Sequence, residues 1–229
     1  MEHVKELFNK YGIELSESQA EKFGLYYNLL TEYNGKFNIT SVTEEKEVYI
    51  KHFIDSVIGI KFINKGNLID IGSGGGFPLV PIKIMKEDLS VTAVESTGKK
   101  CEFLEVLGEK LGFKNFTVLN GRAEEFSKTA AYREKFDYCT SRAVARYNTL
   151  CEYCIPFVKK GGLFIAYKGD ADEEVKESEN ALKVLGCKIK EKYDFLLEDA
   201  KRSLIIAEKV KNTPENYPRG HGKERKNPL

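Results

Sequence analysis

The sequence predicts an α/β fold: a doubly wound, mostly parallel sheet with helices on both faces, ending in an antiparallel C-terminal hairpin and preceded by a helical N-terminal extension. Three observations predict it. From Asn67 onward, short β-rich runs alternate with helical stretches, the rhythm of a parallel sheet built from βαβ units. Before that point, apolar residues recur at three- and four-residue spacing, the period of a helix. The last two β-rich runs, Ile189–Leu197 and Arg202–Val210, are joined only by Glu198–Lys201, too short for a parallel crossover.

Residues 1–65 read as a helical region. Ala20, Phe23, Leu25, Tyr26, Leu29 and Leu30 mark one helix, with Ser16 placed as its N-cap. Val48, Tyr49, Phe53, Val57 and Ile60 mark one face of a second helix over Glu44–Lys61. Residues 66–210 carry the sheet. Strands are expected at Asn67–Ile71, Ser90–Val94, Asn115–Leu119, Phe136–Thr140 and Leu163–Tyr167, with helices or parts of helices at Leu79–Met85, Lys99–Leu111 and Leu150–Val158. A charged helix over Ala171–Leu185 leads to the hairpin. The segment 211–229 holds three prolines and two glycines, and five basic residues against two acidic ones give it a net +3. It reads as an extended basic arm outside the core.

A chain of 229 residues, 41% apolar and 31% charged, is long and apolar enough for one large domain with a small appendage, and lies far from disordered compositions. Its net charge of +1 supplies no general field for polyanions, so a nucleic-acid surface would have to be a local patch. Residues 1–65 carry a net −2 against the +3 of residues 211–229, so acidic and basic surfaces coexist. No run approaches the roughly 18 apolar residues of a membrane span, and Met1–Glu6 lacks the layout of a secretory signal, so a cytoplasmic address is expected. Five unclustered cysteines, an odd number, point to reduced thiols.

The most informative segment is Leu68-Ile69-Asp70-Ile71-Gly72-Ser73-Gly74-Gly75-Gly76-Phe77-Pro78, an apolar strand running into a glycine-rich turn and then a helix. Such a turn lets a ligand approach the backbone, and a helix N-terminus offers free N–H groups to an anion. A dinucleotide fingerprint counted from Gly72 requires glycine at position 77, which is Phe77; the glycines fall instead at 72, 74 and 76. That departure fits a ligand with a smaller anionic end, such as the carboxylate of S-adenosylmethionine. Glu95 ends the second strand about 20 residues on, where an acidic side chain accepts from ribose hydroxyls. A purely structural turn is the plainer alternative for the loop taken alone.

These stretches, together with Phe37-Asn38-Ile39-Thr40, His52-Phe53-Ile54-Asp55-Ser56, Gly121-Arg122-Ala123-Glu124-Glu125, Thr140-Ser141-Arg142-Ala143-Val144-Ala145 and Tyr217-Pro218-Arg219, resemble the RsmG family, also called glucose-inhibited division protein B, the bacterial 16S ribosomal RNA guanine-N7 methyltransferases. The motifs span nearly the whole chain in the family's order. The resemblance implies a class I S-adenosylmethionine-dependent fold acting on the 16S rRNA or small ribosomal subunit, at N7 of nucleotide 527 in the 530 loop. By the family's pattern, Gly72 and Phe77 line the cofactor pocket, Ala123-Glu124 flank the adenine, and Arg142 follows the fourth strand into the site; Gly74 and Glu95 join the cofactor candidates on the loop's own glycine spacing and the place of Glu95 at the strand end. The chain departs from the pattern at Leu79 and lacks a Thr-Pro near Lys223-Glu224.

Guanine N7 carries a free lone pair at neutral pH, so no catalytic base is expected, and Arg142 is the candidate positioning residue for the base or a phosphate. Arg146 and Lys168 are weaker candidates on the same edge, better read as solvated charges. His52 and Asp55 share a helix face and either meet the loop or RNA, or simply fix their helix. Cys151 and Cys154 have C-x-x-C spacing without a second ligand pair, so a packed reduced pair and no metal are expected. The alternatives are a methyltransferase of another RNA, a nicotinamide-dependent oxidoreductase, and a nucleic-acid-binding or nucleotide-sensing protein without enzymatic activity. A monomer is expected.

Overall fold

A computed structural model describes residues 2–229. Among the described residues, seven strands form one sheet: β1 (Asn67–Ile71), β2 (Ser90–Glu95), β3 (Phe116–Asn120), β4 (Phe136–Arg142), β5 (Val158–Lys168), β6 (Cys187–Leu197) and β7 (Ala200–Lys209). Their order is β3-β2-β1-β4-β5-β7-β6. The first five pair in parallel, and β7 lies antiparallel between β5 and β6, as the short link requires. The order reverses between β1 and β4, so their carboxyl ends diverge there and open the crevice in which doubly wound sheets bind ligands. β6 carries an irregularity between Ile189 and Glu191.

Alternation along the strands sends side chains to two apolar clusters, one per face. Leu68, Val91, Ile165 and Ile206 face one cluster; Ile69, Cys139, Phe164 and Ile205 face the other. The first cluster takes in α5 (Leu79–Met85), α6 (Gly98–Lys110) and the N-terminal helices, so residues before Asn67 share one core with the sheet. The second takes in α8 (Tyr147–Cys154) and α10 (Glu179–Leu185). No helix of the described residues is long and apolar enough to cross a membrane.

The N-terminal helices are α1 (Glu2–Asn9) and α2 (Glu17–Asn34), followed by a continuous helical segment. Ser16 caps α2 in a capping box: its hydroxyl accepts from Gln19 N (3.2 Å) and its N–H donates to Gln19 Oε1 (2.9 Å), an arrangement worth about 1 kcal/mol. The expected helix over 44–61 is not uniform. It is α3 (Glu45–Val48), a π-helical stretch Tyr49–Ile54, α4 (Asp55–Val57) and a 3₁₀ turn Ile58–Phe62. The charged helix likewise splits into α9 (Asp172–Glu177) and α10 at Ser178, whose hydroxyl donates to Val175 O (2.7 Å) and so competes with helix continuation.

Residues 211–229, read from the sequence as an extended arm, fold back onto α8. Arg133 clamps the segment's backbone, donating to Tyr217 O (2.9 Å), Thr213 O (2.9 Å) and Pro214 O (3.0 Å). Arg219 donates from Nη2 and Nε to the buried Glu152 carboxylate (2.7 and 3.0 Å). A last turn, α11 (Lys223–Lys226), buries Glu224. The prolines and charges that suggested an arm supply turns and ion pairs for docking.

Candidate functional site

The glycine loop follows β1 at the mouth of the crevice. Gly72 N and Ser73 N donate to Val94 O (2.8 and 3.3 Å), fixing the loop to the end of β2. The Glu95 carboxylate accepts from Gly74 N (3.0 Å) and Thr97 N (2.8 Å), so the residue expected to meet a ribose also fastens the loop. Gly72 has φ +73°, and a Cβ there would lie 2.4 Å from Val144 Cγ2. Gly76 has φ +96°, and its Cβ would lie 2.7 Å from the Tyr26 hydroxyl. Both backbone angle and space therefore demand glycine at these positions. From the other side, the Tyr26 hydroxyl donates to Gly75 O (2.5 Å).

On its β3 side the loop faces a cavity of about 90 Å³ at the carboxyl ends of β1, β2 and β3. Of the residues expected around a cofactor, Gly72, Ala123 and Glu124 line it. Gly74 and Glu95 brace the loop from behind. Phe77 and Arg142 lie together on the opposite side.

That opposite side is built by an aromatic relay. Phe8 meets Phe23 (centroids 4.7 Å), Phe23 meets Phe53 (5.3 Å), Phe53 stacks on Tyr26 (4.7 Å), and Tyr26 stacks on Phe77 (5.5 Å). Each such pair adds about 0.5–1.5 kcal/mol beyond its buried area. The chain of rings carries the rigidity of the N-terminal helices to the loop. Arg142, the last residue of β4, has its guanidinium carbon 5.1 Å from the Phe77 centroid. Its Nη1 donates to Asp55 Oδ2 (2.9 Å) and Lys51 O (2.9 Å), and its Nη2 to His52 Nδ1 (2.9 Å). Lys51 and His52 sit in the π-helical stretch, a geometry that recurs at functional sites. Of the five N–H donors of Arg142, those bonds take three and leave Nε and one Nη2 hydrogen unengaged among the described residues.

Electrostatics fix the tautomer beside it. His52 Nδ1 lies 2.9 Å from Arg142 Nη2 and 3.1 Å from Lys51 O; because arginine only donates, the shorter contact assigns Nδ1 as acceptor and the ring proton to Nε2, which then donates to Thr40 Oγ1 (2.8 Å). Burial, and then the Arg142 charge, lower the His52 pKa to about 4, so the ring is neutral at physiological pH. Burial pushes the Asp55 carboxyl up, while the facing Arg142 and Arg202 guanidinium groups pull it back. Asp70 lies under the loop, accepts from Thr140 Oγ1 (2.8 Å), and is raised by burial to about 7. Its Oδ2 has no partner among the described residues.

Arg146 pairs with Glu177 at the surface, while Lys168 donates to Ala145 O (2.8 Å) and pairs with Glu174. Cys151 and Cys154 are buried, and all five cysteines are free among the described residues. Sequence reasoning missed Tyr26, Thr40, Val144, Tyr153 and Arg225. Tyr26 looked like any apolar position of its helix. Val144 reaches Gly72 because Ala143 adopts φ +58°, which nothing in an alanine announces. Arg225 did carry a signal, the tail's basic charge, but lines the cavity because the tail docks.

A family model described as rRNA small subunit methyltransferase G matches residues 19–205. The chain is 45% identical to the ribosomal RNA small subunit methyltransferase G of Lactobacillus acidophilus, over 100% of this chain and 98% of that one. It is 47% identical to the protein of the same name from Lachnoclostridium phytofermentans, over 95% and 93%. Among solved structures, the YcgJ protein of Bacillus subtilis superposes with a TM-score of 0.54 over 70% of this chain and 100% of its own, at 13% identity. A methyltransferase from Pyrococcus furiosus gives 0.52 over 69% and 83%, at 17% identity. At these identities the structural likeness bears on fold alone.

Proposed function

The chain belongs to the rRNA small subunit methyltransferase G family, and on that premise we propose which atom it modifies and how its residues serve the transfer. It is an S-adenosylmethionine-dependent methyltransferase of 16S ribosomal RNA. Its target is N7 of one guanine, nucleotide 527 in the 530 loop. The observation that carries this reading is Arg142, fixed on three sides at the switch point beside the glycine loop with two donors still unengaged.

The residues fit the cofactor. Gly72, at positive φ, leaves bare backbone at the cavity's edge for a small carboxylate, and Glu124, 13% exposed at the side chain, offers an acceptor at the carboxyl end of β3. When bound, the cofactor supplies a sulfonium methyl as electrophile. The loop backbone and Ala123-Glu124 hold it, with Glu95 keeping the loop in place. Arg142 donates to O6 of the target guanine, the acceptor next to N7, and so aims the N7 lone pair without occupying it. N7 needs no proton removed before attack, so the protein's contribution is alignment, worth up to about 7–11 kcal/mol for well-oriented reactants. Because side chains cannot enter the deep major groove of an RNA helix, the guanine must be presented from a loop or flipped out. A cytoplasmic address follows from the substrate, and the mechanism asks for only one copy of the chain. The nicotinamide-dependent alternative loses its footing at Phe77, whose ring is packed between Tyr26 and His52 where a dinucleotide loop needs glycine.

The test offers methyl-labelled S-adenosylmethionine with naked 16S rRNA, assembled small subunits, or tRNA from an unmodified host. Label in 16S rRNA that maps to a 7-methylguanine in the 530 loop is the expected result. Label confined to tRNA, or to another 16S position, overturns the assignment.

A further inference from the structure

The cavity beside the glycine loop has a wall that no other part of the site explains. Arg225 lines it together with Gly72, Ala123, Glu124 and Tyr153, although it lies more than eighty residues beyond the last strand-end residue of the crevice, Arg142. It is brought there by a specific set of bonds. Arg219 N and its guanidinium both bind Glu152, which is 1% exposed on α8. Gly220 N donates to the buried Glu224 carboxylate, closing the turn that precedes α11. The Thr149 hydroxyl of α8 donates to Glu224 O (3.1 Å), one residue before Arg225. Tyr153, one turn further along α8, stands beside the Arg225 guanidinium.

Arg225 meets only one end of a cofactor laid along the crevice. The methyl group has to reach the side where Arg142 and Phe77 stand. The cavity that Arg225 lines runs the other way, toward Ser96 after β2 and Gly121 after β3. A planar guanidinium stacks on purine faces and donates to ring-nitrogen acceptors.

We propose that Arg225 is a cofactor-contact residue, set against the adenosine end of S-adenosylmethionine by the docked tail, so that cofactor binding and tail docking stabilise one another. The proposal rests on the reading of this cavity as the cofactor site. Coupling is reciprocal by linkage: whatever the docked tail adds to cofactor affinity, the cofactor adds to tail docking.

Titration calorimetry on the full chain tests it with three probes: S-adenosylmethionine, S-adenosylhomocysteine and 5′-methylthioadenosine, the last lacking the amino-acid end. Arg225→Ala is expected to weaken all three by a common factor of about ten, with Arg225→Lys in between because an ammonium cannot stack as a plane. In steady-state assays the loss should appear in the KM for S-adenosylmethionine with kcat preserved. Hydrogen exchange on the wild-type chain should show amides of residues 217–226 slowed by S-adenosylmethionine, and less so in Arg225→Ala. Unchanged affinities in the variant overturn the proposal. So does a loss confined to the two amino-acid-bearing probes, which would put Arg225 at the carboxylate. A wild-type chain that binds none of the three overturns the cofactor reading itself, a result distinguishable from both.

Discussion

The glycine loop has two sides, and they are made differently. Toward β3 it looks onto a cavity walled by backbone, small residues and a few charged side chains, one of them contributed by the tail. Toward β4 it is sealed by Phe77, Tyr26 and His52, with Arg142 held among three bonds and a ring. The open side has room for a cofactor; the packed side holds the Arg142 guanidinium still, with two donors left to meet a base. Binding and alignment are thus divided between two surfaces of one turn, and substitutions on the two sides should separate affinity for the cofactor from the rate of transfer.

The sharpest division is expected at Arg142. Arg142→Ala should lower single-turnover methylation at saturating cofactor by 10²-fold or more, on the order seen when one preorganised donor is removed from an active site. S-adenosylmethionine affinity by calorimetry should stay within about twofold of wild type. The melting temperature should fall as well, because Asp55 loses its buried partner. A tenfold loss of cofactor affinity would break the division.

Gly72→Ala acts on the open side. It forces a Cβ toward Val144 and an alanine to φ +73°, a strain of about 1–3 kcal/mol, and should reduce cofactor affinity by more than tenfold. Adding Val144→Ala removes the clash but not the strained angle, so the double variant should recover only part of the loss. Full recovery would show that the clash alone mattered.

The pH dependence of stability should separate two buried groups with opposite signs. Asp70 has a folded pKa of about 7, above its unfolded value near 4, so the fold binds the extra proton and loses stability as pH rises from about 4 to 7. His52 has a folded pKa of about 4, below its unfolded value near 6.5, so its contribution is intact above pH 6.5 and is lost as pH falls toward 4. In urea melts, Asp70→Asn should be the more stable protein at pH 8 by on the order of 1–3 kcal/mol, with the gap closing by pH 5. A gap that widens on acidification would contradict the assignment. The smallest effect is expected from Tyr26→Phe, which removes one buried donor from Gly75 O at a cost of about 1 kcal/mol and leaves the aromatic relay intact.

The fold was legible because its signals are local. The strand at Asn67–Ile71 and the helix at Leu79–Met85 lie where period and punctuation place them, and the short 198–201 link dictated the antiparallel end. The family itself was legible from the motifs, as the match over residues 19–205 bears out. What escaped was set by tertiary context. A π-helical turn has no composition of its own, so the carbonyl of Lys51 could not be anticipated as an Arg142 acceptor. Nor could Tyr26, whose hydroxyl finds its carbonyl 49 residues away. The tail was misread because proline, glycine and positive charge look the same in a docked segment and a free one until Glu152 and Arg133 are seen opposite it.

The irregularity in β6 has a consequence for how the molecule behaves in company. β6 is an outer strand of the sheet, eleven residues long, and a strand of that length with free backbone edges invites another chain to pair with it. Lys190 falls at the register shift, and Lys188 and Lys192 flank it. An incoming strand would have to bury ammonium groups and match a ladder that slips midway. The sheet therefore carries its own terminator on that side, written into the spacing of three lysines and one slipped residue pair.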